Sequence, residues 1–394
     1  MSSKTVLILG GGWGGLTTAH HLRSLLSPEH RVVVVERNDR FSLHVSNLWL
    51  MTGERKDPEQ VSRPMTNLKR EGIEWAHAQA QQLDPESRTL VTDHGQMIGD
   101  YVVIALGAEL APDSVPGFEE ATYNLYETEG AARLQEALKD FAGGKIVVLV
   151  GGAPFRCPAA PYEAAMLTES LIRSREVQDD WEVSLYTPEA HPMAVAGPAV
   201  GEALEAMLAE RGVGYFPEHA VTSVDVDSHT IHFGDTVVPY DLLIGVPPHR
   251  APKLAIDSGL VDETGYIPVH PQTLKILKDP NTLETQFPNV YAIGDVTSVR
   301  LLNSMLLPKA GVFAEGQAQA VAGAIAADIA GQPLPHGFDG DGFCYVEVGD
   351  GMAAYGAGDF YAFPGPRVTL DMPNPQSRKA KEEYERLLDL WFEN

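Results

Sequence analysis

Apolar residues come in short unbroken blocks along this chain, and the blocks lay out its elements. Thr5-Val-Leu-Ile-Leu9 is an apolar run read as a buried strand, and it stops at the glycines of residues 10–15. Residues 16–26 continue with helical spacing, and Arg31-Val-Val-Val-Val-Glu36 is a second strand that ends on an acid. Residues 37–53 have no regular period. Residues 73–83 and 87–91 read as strands, and residues 96–107 as a hairpin arm plus a buried parallel strand ending at Gly107. The same succession then recurs: a strand at 145–150, a helix at 162–173 and a strand at 181–186. Near the end, residues 289–293 form a short apolar strand before Gly294-Asp295, and an apolar helix is expected at 311–329. The last pattern, residues 379–392, places Ala380, Tyr384, Leu387, Leu388 and Trp391 on one helical face.

The first strand, turn and helix have the form of a dinucleotide-binding unit. Gly10 allows the tight turn, Gly12 lets a pyrophosphate approach the backbone, and Gly15 lets the helix pack on the strand. Amides at the helix start then hold phosphate, and Glu36 reaches the ribose hydroxyls. Gly107 would bring backbone close to the ligand, and Asp295 is placed either to bond a polyol hydroxyl or simply to cap a turn. The expected fold is α/β, with two Rossmann-like domains, the second inserted in the first, and a small C-terminal α+β segment. The boundaries are 1–113 and 281–335 for the first domain, 114–280 for the inserted one and 336–394 for the C-terminal segment.

Composition narrows the partners. At 394 residues, 44% apolar and 21% charged, the chain has room for two or three packed domains. A net charge of -25 argues against nucleic acid and against adsorption to anionic lipid. The first strand begins too close to Met1 for a signal peptide, and no apolar run is long enough to span a bilayer. The expected location is cytoplasmic, or peripheral on the inner face of the membrane. His44, His191 and His249 fall in no metal spacing, so no metal site is expected.

The second turn departs from the first. Ala153 stands at the second glycine position, Pro154 removes an amide that could meet phosphate, and Arg156 fills the third position. A nicotinamide site there is therefore degenerate. The turn instead presents Cys157 near a helix N-terminus, where the dipole and Arg156 are expected to favour the thiolate.

Phe155-Arg-Cys157-Pro-x-x-Pro161-Tyr-Glu163 resembles the cysteine segment of sulfide:quinone oxidoreductases and of flavocytochrome c sulfide dehydrogenase flavoprotein subunits. Leu307-Pro-Lys309-Ala-Gly311 resembles that family's segment under the isoalloxazine, and Gly342-Phe-Cys344-Tyr-Val-Glu347 the second-cysteine segment of its quinone-reducing branch. The resemblance implies FAD held by Gly10, Gly12, Gly15, Glu36, Arg37, Asn47, Gly107, Gly294, Asp295 and Lys309. Leu43 stands near the position of the cysteine that holds FAD covalently in the cytochrome-linked branch, so non-covalent binding is expected. A third cysteine found in many quinone-reducing relatives is absent, since Cys157 and Cys344 are the only two.

What the resemblance implies chemically is oxidation of sulfide to zero-valent sulfur or polysulfide through a Cys157–Cys344 pair. Cys157 would carry the sulfur chain and Cys344 the thiolate that faces the flavin. Glu163 would accept a proton, unless it merely suits a helix first turn, and Lys309 would stabilise charge on the reduced flavin. The acceptor would be a quinone, with a c-type cytochrome as the alternative. An NADH:quinone-type reductase and a flavin redox sensor without turnover stay open. The final helix fits a peripheral membrane contact, a homodimer or packing on its own protein.

Overall fold

The computed structural model describes residues 3–175, 177, 180–279 and 284–392. Five parallel strands make the first sheet, in the order Val290–Ala292, Tyr101–Ile104, Thr5–Leu9, Arg31–Glu36 and Glu74–His77. The central strands Tyr101–Ile104 and Thr5–Leu9 and residues 32–35 are apolar without alternation because both faces are covered, while the edge strand Glu74–His77 is more polar and exposed. The helices Trp13–Leu25 and Gly311–Ala330 pack together on this sheet.

A second parallel sheet repeats that plan, in the order Tyr123–Asn124, Leu242–Val246, Gly144–Val150, Trp181–Tyr186 and Gly214–Phe216. Each sheet carries a three-stranded antiparallel ribbon ahead of its returning strand, Ala80–Ile98 in the first and Ser223–Pro239 in the second. The fold is thus the expected pair of Rossmann-like units with one inserted in the other.

Three expectations change in detail. Residues 73–83 are two strands, not one. Glu74–His77 belongs to the sheet and Ala80–Asp84 to the ribbon, with the corner pinned by Ala78 N donating to Glu36 O at 3.2 Å and Gln79 N to Asp93 Oδ1 at 2.8 Å. The expected junction at 280–281 lies outside the described residues, and the chain rejoins the first core well before it. Leu254, Ala255, Leu260, Ile267, Val269 and Leu274 are all buried in that core.

The third change is at the C-terminus. Residues 379–392 are not one helix but the end of Pro375–Glu382, a turn at Glu383–Glu385, and Arg386–Phe392. Their apolar face is spent inside the molecule, with Leu388, Trp391 and Phe392 buried in the first core. The antiparallel sheet before them, Asp341–Gly349, Met352–Asp359 and Arg367–Leu370, buries Val346, Val348 and Ala354 in the second core. The C-terminal segment therefore clamps the two Rossmann units together. Among the described residues, no helix is long and apolar enough to cross a membrane.

Candidate functional site

A cavity of about 1500 Å³ runs from the first glycine turn, between the two units, to the C-terminal segment. Gly10, Gly12, Glu36, Arg37, Asn47, Gly107, Gly294, Asp295 and Lys309 all line it, and so do Cys157, Glu163 and Cys344. Gly15 lies beneath it, where a Cβ would stand 2.0 Å from the Gly10 carbonyl oxygen. Gly10 itself has φ +105°, and a Cβ there would meet Ala105 O at 2.4 Å. Gly12 differs, because a Cβ built on it meets nothing within 4 Å. It faces the cavity.

The helix that starts at Trp13 has no side-chain cap, which leaves its first amides for a ligand. Glu36 accepts from the backbone N–H of Gly11 and of Asn38, each at 2.8 Å, so its carboxylate is fixed at the strand end. These features fit the adenosine diphosphate half of FAD. Asn47 Nδ2 donates to Leu125 O at 3.1 Å and its Oδ1 accepts from Thr128 Oγ1 at 3.3 Å. It ties the two units at the cavity wall.

At the other end, Gly294 N donates to Gln317 Oε1 at 2.7 Å, which sets the turn that carries Asp295. Lys309 Nζ donates to the carbonyls of Asp295 at 2.6 Å and Thr297 at 3.1 Å, and lies 3.3 Å from the centre of the Tyr266 ring. Burial lowers its pKa to about 8, against the pull of Asp295. A buried cation held this way beside the Gly311 helix start fits the isoalloxazine end of the same cofactor.

The second unit brings Cys157 to this place. Its backbone N–H donates to Lys309 O at 2.7 Å, and its φ of +50° is left-handed. Tyr126 Oη donates to Arg156 O at 2.8 Å, and Arg156 Nη2 to Tyr126 O at 2.7 Å, which lock the loop. Cys344 comes from the strand Asp341–Gly349. The two sulfurs are free thiols on one cavity, near enough that Cys157 raises the pKa of Cys344. The expected thiolate at Cys157 is not what the surroundings favour. Burial pushes that thiol up to about 11 and Glu163 adds to it, and the opposing Arg156 and Lys381 do not offset them. The helix whose dipole was invoked begins only at Ala160. Burial raises Cys344 further still.

Glu163 is not a lone acid. Its Oε1 accepts from Lys381 Nζ at 2.6 Å and from Glu347 N at 2.8 Å. Burial raises its pKa and Lys381 is the main opposing influence. Lys381 and Arg378, with Trp49, were invisible in the sequence as site residues. Nothing in Arg378-Lys-Ala-Lys381 distinguishes the buried Lys381 from the exposed Lys379. Glu347 was quoted there only as part of a segment.

The second glycine turn packs closely on Pro248. A Cβ on Gly151 would stand 2.7 Å from Pro248 Cδ, and one on Gly152 would stand 3.3 Å from Pro248 Cβ.

The family model for pyridine nucleotide-disulphide oxidoreductases matches residues 4–322. Among curated proteins, the chain is 27% identical over 308 residues to the mitochondrial sulfide:quinone oxidoreductase of Mus musculus, covering 75% of this chain and 66% of that one. It is 25% identical over 375 residues to the sulfide-quinone reductase of Aquifex aeolicus, covering 92% of this chain and 84% of that protein. The solved sulfide:quinone oxidoreductase from Aquifex aeolicus superposes with a TM-score of 0.83 at 24% identity, over 99% of this chain and 91% of that one.

Proposed function

This chain belongs to the pyridine nucleotide-disulphide oxidoreductase family, and from that membership we propose that it is a flavoprotein that oxidises sulfide and passes the electrons to a quinone. The observation that carries the proposal is the meeting of Cys157 and Cys344, from different units of the chain, on the cavity that Lys309 and Gly294-Asp295 also line. Relatives named for sulfide and quinone support it.

FAD would accept two electrons and hand them on. Gly10, Gly12, Glu36, Arg37 and Gly107 would hold its adenosine diphosphate half, with Gly294, Asp295 and Lys309 at the flavin end and Asn47 keeping the wall in place. Leu43, at the covalent-link position, is buried and chemically inert, so acid precipitation should release FAD from the protein.

Cys157 and Cys344 are free thiols, and in the oxidised enzyme they would form a bridge. Hydrosulfide attacks one sulfur of the bridge. The S–S bond breaks, Cys157 is left as a persulfide and Cys344 departs as a thiolate. Glu163 takes the proton of the hydrosulfide, and the two electrons leave by way of Cys344. With that electron pair given up, the Cys157 persulfide and Cys344 would close into a trisulfide, and a second hydrosulfide that breaks its bond to Cys344, giving up a further electron pair, would leave Cys157 one sulfur longer. Because a quinone is lipid-borne, the protein meets its acceptor at a membrane surface.

Anaerobic stopped-flow mixing tests the proposal. Sulfide should bleach the oxidised flavin, Cys344→Ser should abolish the bleaching, and NADH should leave the flavin oxidised because Ala153, Pro154 and Arg156 replace the phosphate-binding pattern in the second turn. Decylubiquinone should then restore the colour faster than cytochrome c does. Bleaching by NADH alone, or none by sulfide, would overturn the proposal.

A further inference from the structure

Lys381 reaches the sulfur site from the helix Pro375–Glu382, far along the chain from either Rossmann turn. Its ammonium is 2.6 Å from Glu163 Oε1 and 2.9 Å from Glu347 Oε1, and its side chain is only 2% exposed. One cation thus sits between two buried carboxylates, beside the cavity that holds Cys157 and Cys344.

The two carboxylates are not equally supported. Glu347 has further partners, since Arg378 Nε lies 2.6 Å from its Oε2 and Trp49 Nε1 donates to its Oε1 at 2.8 Å. Arg378 continues outward to Glu54 and Glu382, which carry the network to the surface. Glu163 has Lys381 and a single backbone N–H from Glu347. The other charged or titratable groups facing it are Cys157, Cys344, Glu347 itself and Tyr126. None of these supplies positive charge. Arg156 is turned to the Tyr126 carbonyl and ring.

Without Lys381 the two buried carboxylates have one cation between them, Arg378 on Glu347, and the proton goes to the carboxylate left without one. Here that one is Glu163.

We propose that Lys381 is the positioning residue of the sulfur site, delivered by the C-terminal helix to hold Glu163 as the carboxylate that takes the proton from sulfide. The inference rests on the sulfide reading above and deepens it. In Lys381→Met, Glu163 is protonated at neutral pH and has nothing left to accept with. Raising the pH ionises it again.

The test uses the holoenzyme and two readouts. In the first, the rate of flavin reduction by sulfide is followed against pH. Lys381→Met should be at least tenfold slower at pH 7 and should recover on the alkaline side, about tenfold in ionised Glu163 for each unit its pKa has risen. Lys381→Arg should keep the wild-type profile. Glu347→Gln removes the competing carboxylate, so its acidic limb should move to lower pH, and this variant decides the matter if Lys381→Met does not fold.

The second readout is the infrared carbonyl stretch of a protonated carboxylic acid at pH 7. It should appear in Lys381→Met and vanish in the double variant with Glu163→Gln. A pH-independent loss of rate with no new carbonyl band would overturn the role of Lys381 and leave sulfide oxidation standing. Failure of sulfide to bleach the wild-type flavin would overturn the sulfide reading, while the infrared band would still report on Lys381.

Discussion

Trp13, the residue that opens the first dinucleotide helix, meets Tyr384 of the C-terminal turn edge to face, with ring centres 5.3 Å apart. Trp391 joins the same cluster at 6.3 Å, and Phe41 packs on Trp391 in turn. The phosphate turn and the segment that delivers Lys381 therefore share one aromatic cluster. On the proposed reading, cofactor binding and completion of the sulfur site should be coupled through it. Trp391→Ala should cost about 3–5 kcal/mol in denaturant unfolding, as large-to-small changes at buried aromatics do. It should also lower flavin retention on gel filtration. The neighbouring Leu390, 56% exposed, is the control, and Leu390→Ala should stay within about 0.5 kcal/mol of wild type.

Two glycines of the first turn should fail for different reasons. In Gly15→Ala the new Cβ meets a backbone oxygen at 2.0 Å, and neither helix nor strand can yield without loss of packing. That variant should be destabilised by about 2 kcal/mol or more even without cofactor. Gly12→Ala has open space and an extended backbone, with φ -80°, so the flavin-free protein should unfold within about 1 kcal/mol of wild type. Its methyl group takes the room of the pyrophosphate, and the purified protein should be colourless. Equal loss of stability in both variants would contradict this division of labour.

The thiols should behave as buried groups. With its pKa pushed up to about 11, Cys157 in the flavin-free protein should be alkylated by iodoacetamide slowly at pH 7, and about tenfold faster for each pH unit up to pH 10. Cys344, raised further, should lag behind it across that range. Mass spectrometry of the alkylated peptides separates the two sites. A rate at Cys157 that is already flat near pH 7 would mean a stable thiolate, contrary to the burial described here.

The sequence made some of this legible because certain signals are local. An apolar run closed by glycines at fixed spacing specifies strand, turn and helix within one stretch, and Trp181–Tyr186 and Arg31–Glu36 form strands over the lengths their apolar runs predict. The two cysteine segments were legible as a resemblance for the same reason. What escaped was set by packing between distant parts. Lys381 and Lys379 look alike in a polar helix, and only the docking of that helix onto the strands Asp341–Gly349 and Met352–Asp359 decides which one is buried. The thiolate expected at Cys157 failed similarly, because its neighbours in sequence suggest a positive setting while the fold supplies desolvation. The break of the last helix at Glu383–Glu385 carries no proline or glycine to announce it.

Lys309 offers a stability test with a definite sign. Its pKa falls from 10.5 in the unfolded chain to about 8 in the fold, because burial disfavours the ammonium more than Asp295 favours it. Below pH 8 the group is protonated in both states, and the fold bears the whole cost of burying its charge. Between pH 8 and 10.5 the unfolded chain binds the proton and the folded one does not, so this contribution to stability rises with pH. Across that window, flavin-free wild type should gain about 3 kcal/mol relative to Lys309→Met, measured by urea unfolding at each pH. The comparison removes every other titrating lysine, since both proteins share them. A difference that stays flat with pH would mean that the ammonium is as well solvated by the Asp295 and Thr297 carbonyls and the Tyr266 ring as it is by water.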